Sequence, residues 1–172
     1  SEAEKVLEEV RRLIEEIRRR LKETTDDVRR LVRELKEEAK RLLEEDKRLV
    51  DDLRRRNAKD ETLTRRLRRH AEETKKTIEE LIRALEEALD RLRKRHEELL
   101  RELDETLRRL EERIEVKEVV DKIRKVAEEL KKELKDNADR VRRIAERLKE
   151  ELKRVAEKSD RIIRTLEEEL KR

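Results

Sequence analysis

The sequence predicts an all-α protein, an elongated antiparallel up-down-up bundle of three helices of about 55 residues each. Three observations predict it. Apolar residues return every three or four positions along the whole chain. The alphabet is held to helix formers, with no Gly, Pro, Cys, Met, Phe, Tyr or Trp in 172 residues. Two interruptions then divide the chain into parts of nearly equal length. With 59% charged and 33% hydrophobic residues, composition alone would also suit a disordered chain. The periodicity decides for a folded one.

The first helix, expected over about residues 2–56, carries Ala3, Leu7, Val10, Ile14, Ile17, Leu21, Val28, Leu31, Leu35, Ala39, Leu42, Leu49 and Leu53 on one face. Its end is expected from Arg56 to Asp60, where Asn57 tolerates the left-handed conformation that closes a helix and Asp60 can accept from the free amides of the next one. The second helix, about 60–114, continues the stripe from Leu63 and Leu67 to Leu107 and Leu110. The β-branched residues Ile114 and Val116 then interrupt good helix formers and mark the second turn. The third helix, about 117–171, runs from Val119 and Ile123 to Leu166 and Leu170. Capping side chains also stand at Thr25-Asp26-Asp27, Asp136-Asn137 and Ser159-Asp160, but cutting there would leave unequal pieces. At 1.5 Å per residue each expected helix would be roughly 80 Å long, and equal rods pack side by side as one domain over residues 1–172.

Several function classes drop out at this level. The formal charge is +4 from 53 basic and 49 acidic residues, interleaved at helical spacing, so there is no concentrated basic stripe for nucleic acid. No stretch approaches the ~20 apolar residues of a membrane span, and the start of the chain shows no targeting pattern, so a soluble protein of undefined localisation is expected. Interfacial lipid binding would favour Trp or Phe, which are lacking. Without Cys there is no thiolate metal site. No cofactor, metal ion or small-molecule substrate is expected.

The informative residues are the polar ones that break the apolar stripe: Thr24, Asp46, His70, Thr74, His96, Asn137 and Ser159. Folding the chain back at the two turns puts Ile17 level with Leu100 and Leu130, and Leu53 with Leu63 and Leu166. The same folding gathers Thr24, His96 and Asn137 at one level and Asp46, His70 or Thr74, and Ser159 at another. A buried polar group is costly unless partnered, and a completed layer penalises every alternative register. Both levels therefore read as structural devices. Ser159, His70 and Asp46 also have the composition of a nucleophile triad, yet a hydrolase needs an oxyanion hole and a cleft, and neither a Gly-rich turn nor a free helix start is expected beside them. His70 and His96 lie about 39 Å apart along one helix and cannot share an ion.

The restricted alphabet, matched helix lengths and isolated polar levels resemble those of computationally designed helical bundles with buried hydrogen-bond networks. That resemblance implies a structural scaffold, an oligomer subunit or one partner of a designed heterodimer, with no natural biochemical activity. The alternative to a scaffold is an interaction module, in which doublets such as Leu42 with Leu43, Leu49 with Val50 and Ile162 with Ile163 form an exposed apolar groove for a helical partner or a second copy.

Overall fold

The computed structural model describes residues 1–56 and 61–171, so the first expected turn, at Asn57 and Asp60, lies outside the described residues. Three helices account for nearly all of them: α1, Glu2–Arg55; α2, Glu61–Glu112; and α3, Lys117–Lys171, of 54, 52 and 55 residues. Each runs unbroken through the internal Thr, Asp and Ser positions that could have capped a shorter helix.

The helix ends follow from local chemistry. Ser1 caps α1: its Oγ accepts from the Glu4 amide at 3.3 Å and its carbonyl accepts from Lys5 at 3.2 Å. Glu2 and Glu4 add acidic groups to the positive end of the helix dipole. At the far end of α2, the Arg113 and Ile114 amides donate to Leu110 and Glu111, three residues back, which tightens and closes the last turn. Residues 114–116 are irregular, and α3 opens with the Val116 carbonyl accepting from Val119 and Val120. Val116 offers no capping oxygen and is 52% exposed.

Packing divides the chain into two units, Ser1–Arg29 with Ala88–Arg143 and Arg30–Glu87 with Ile144–Arg172. Within the first, Arg113 binds Glu2 and Glu9 while Arg20 binds Glu102, so α1 and α2 run in opposite directions. Arg124 with Glu111 and Lys131 with Asp104 give the same relation for α2 and α3. Arg18 forks onto Glu133, 115 positions on, so α1 and α3 are parallel. In the second unit Arg54 forks onto Glu169 at the same separation of 115, and Lys149 pairs with Glu86 across α2 and α3. Each unit is thus an up-down-up three-helix arrangement. Such exposed pairs, screened by solvent, contribute little to stability, and the two-pronged Arg–carboxylate contacts add geometric specificity.

Stability comes from the apolar face. The first unit buries Val6, Val10, Ile17, Leu99, Leu103, Ile123, Leu130 and Leu134, and the second buries Val50, Leu53, Leu67, Ile163 and Leu166. Each fully buried aliphatic side chain contributes roughly 1.5–3 kcal/mol relative to an exposed one. The face differs in detail from the expected stripe: Val6 is buried where Leu7 was expected, Val32 in place of Leu31 and Val50 in place of Leu49. The reason is phase. In a doublet both residues stand three or four positions from the next core residue, and the continuous 3.6-residue turn, not spacing to one neighbour, selects which of them faces inward.

Candidate functional site

The same helical phase that buries the aliphatic residues carries a few polar ones inward. Asp46 stands four residues after Leu42 and four before Val50, both buried, and its own exposure is 0%. On α2, Thr74 continues the series between Leu67 and Ile78 and is buried, while His70, one turn earlier, is half-buried at the edge. Ser159 follows Leu152 and precedes Ile163 on α3 and is also buried. His70 Nε2 lies 2.5 Å from Asp46 Oδ1, a short contact across α1 and α2. This bond raises the His70 pKa against the opposing effect of burial, with Asp46, Glu45 and Glu73 adding favourable charge. Asp46 Oδ2 is buried without a hydrogen-bond partner among the described residues.

Of the components of a nucleophile triad, His70 and Asp46 are bonded to each other. No hydrogen bond joins Ser159 to His70 or Asp46 among the described residues, and Ser159 is 3% exposed. The groove beside His70, about 570 Å³, is lined by Arg48, Leu49, Arg66 and Arg69 among others and does not include Ser159. Among the described residues no group of three or more His, Cys, Asp or Glu side chains could hold a metal ion, and there is no free cysteine. No described helix is long and apolar enough to cross a membrane.

In the first unit Thr24 and His96 are buried and Asn137 is half-buried. The Thr24 hydroxyl donates to the Arg20 carbonyl of its own helix at 2.7 Å. His96 Nδ1 donates to the Leu92 carbonyl at 3.0 Å, and Asn137 Nδ2 reaches His96 Nε2 at 3.4 Å. Burial lowers the His96 pKa, and the Leu92 carbonyl partly offsets it. Thr25, not Thr24, completes the link to α1, its hydroxyl standing 3.0 Å from Asn137 Oδ1. Sequence reasoning placed Thr25 only at a candidate helix start. Its position, four after Leu21 and three before Val28, puts it on the same edge of the core and could have found it.

The chain is similar in fold to a computationally designed three-helix bundle. The solved structure described as "Computationally designed three helix bundle" superposes with a TM-score of 0.67 at 22% identity, over 98% of this chain and 90% of that one. No protein-family model matches, and no curated protein does.

Proposed function

We propose that the chain is a de novo designed structural scaffold, a single domain whose register is set by an apolar core together with buried polar groups. One observation carries this reading: the fully buried Asp46 on α1 bonded to His70 on α2. A carboxylate in an aliphatic core disfavours any register that separates it from its partner. The likeness to a designed bundle and the lack of a matching natural family support the same view. In this reading Thr24, His96, Asn137, Thr74 and Ser159 serve the fold, and no catalytic step, cofactor, nucleic acid, membrane or small-molecule substrate is involved.

The test replaces both Asp46 and His70 by Leu. A scaffold specified by the pair keeps its helicity but loses the single, well-dispersed set of amide resonances. A variant with one sharp spectrum superposable on the parent refutes the role. Light scattering addresses the alternative of an interaction module. Leu49 and Ile162, the outer members of their doublets, are partly buried against the core of the second unit and line different grooves, and the scaffold reading expects a monomer at all concentrations. A stable dimer abolished by Leu49→Glu or Ile162→Glu would establish the module instead.

A further inference from the structure

The contacts of Asn137 form a directed chain across all three helices of the first unit. A carbonyl can only accept, so the 3.0 Å contact with Leu92 places the hydrogen of neutral His96 on Nδ1 and leaves Nε2 as an acceptor. Asn137 Nδ2 donates to it. At the other end of the amide, Oδ1 faces the Thr25 hydroxyl at 3.0 Å, while that hydroxyl also stands 2.9 Å from the Leu21 carbonyl. Thr25 has one hydrogen for two acceptors, so the neutral setting shares it between them.

Charging His96 adds a hydrogen at Nε2, directly opposite the Asn137 N–H. A half-turn of the amide removes the conflict, since the terminal torsion of Asn is broad and roughly two-fold. Oδ1 then accepts from Nε2–H, Nδ2 donates to the Thr25 oxygen, and the Thr25 hydrogen passes undivided to Leu21. His96 Nε2–H, one Asn137 N–H and the Thr25 hydroxyl then each have an acceptor of their own, with no movement of the backbone. We propose that Asn137 is a rotor that registers the charge of His96 on α2 and transmits it through α3 to Thr25 on α1. The device does not depend on whether the chain was designed.

Charged groups surround this chain of contacts on every helix. Arg18, Lys22, Asp26 and Arg29 of α1 face Glu133, Asp136 and Arg140 of α3 along the groove that holds Thr25 and Asn137. Arg20 of α1 faces Arg91, Lys94, Arg95, Glu98 and Glu102 of α2 along the neighbouring groove. Burial lowers the His96 proton affinity and the Leu92 carbonyl opposes it, while the side chain that meets Nε2 is the Asn137 amide.

Nuclear magnetic resonance on the full chain tests the rotor, because the sequence has only two His residues and their signals are readily assigned. Three results are expected: neutral His96 protonated on Nδ1, Asn137 side-chain amide signals that move with the His96 midpoint, and a His96 proton affinity raised about tenfold or more in Asn137→Asp, whose carboxylate can only accept. Asn137→Leu, which offers neither setting, lacks that rise. Amide signals indifferent to the His96 titration, a neutral ring protonated on Nε2, or an unchanged midpoint in a folded Asn137→Asp variant would each overturn it. The first two readouts use the unmodified protein and stand if the variant does not fold.

Discussion

Removing His70 should cost far more than removing its partner. Asp46 is wholly buried, with Oδ1 held by His70 and Oδ2 already unpartnered among the described residues. In His70→Leu the carboxylate loses a charge-assisted hydrogen bond, about 1.5–3 kcal/mol, and a second buried oxygen is left at a desolvation cost of about 1–3 kcal/mol. Together these reach the ~3–5 kcal/mol typical of breaking one side of a buried ion pair. In Asp46→Leu the half-buried His70, its side chain 19% exposed, can turn its nitrogens to water, and the loss should stay near ~1 kcal/mol. The Asp46→Leu, His70→Leu double variant removes both demands and should match or exceed the parent by up to ~4 kcal/mol. Guanidinium unfolding followed by circular dichroism, with slopes checked for constancy, measures all four proteins. Equal costs for the two single variants, or a double variant as weak as His70→Leu, would show that the pair is not held by burial and would refute the reasoning.

The two imidazoles should bend the pH dependence of stability in opposite directions. His96 has a folded pKa below its ordinary value, so the unfolded chain takes up the extra proton first and stability falls as pH drops below about 6.5; His96→Asn should flatten this acid limb in melts across pH. His70 has a raised folded pKa, so its contribution is full below about 6.5 and is lost as pH rises through the folded value, a loss that His70→Gln should abolish. Leu53→Ala, at a position with 0% exposure, should cost about 2–5 kcal/mol in chemical unfolding, against no more than about 0.5 kcal/mol for Leu7→Ala at 37% exposure. Val116→Asp should stabilise by about 1 kcal/mol, because the start of α3 lacks a capping oxygen and Val116 is largely exposed; an unchanged or lower midpoint would contradict the assignment of this helix start.

The fold was legible because nothing competes with the 3.6-residue pattern: without Gly or Pro, only a lapse in good helix formers can end a helix, and Ile114 and Val116 supply one. The last residue of α2 was less so. It closes at Glu112, two positions before the expected end, because its final carbonyls are taken up by amides three residues on, a choice made by turn geometry. The identity of the core residue within each aliphatic doublet was not legible either, since Leu7 and Val6 satisfy the same spacing rule and differ only in cumulative phase. Folding back the chain puts Asp46 near His70, and the two are hydrogen-bonded. Thr25 escaped notice because a Thr-Asp-Asp run reads as a cap when no partner helix is in view, whereas across from Asn137 its hydroxyl has a long-range acceptor.

Arg113 stands one residue beyond the end of α2 and grips Glu2 and Glu9, which belong to the opening turns of α1. Fraying at one place therefore loosens the other. Backbone amides near Glu9 and those between Arg113 and Val119 should exchange with deuterium as a cooperative pair, and raising the salt concentration, which screens exposed ion pairs, should speed both together.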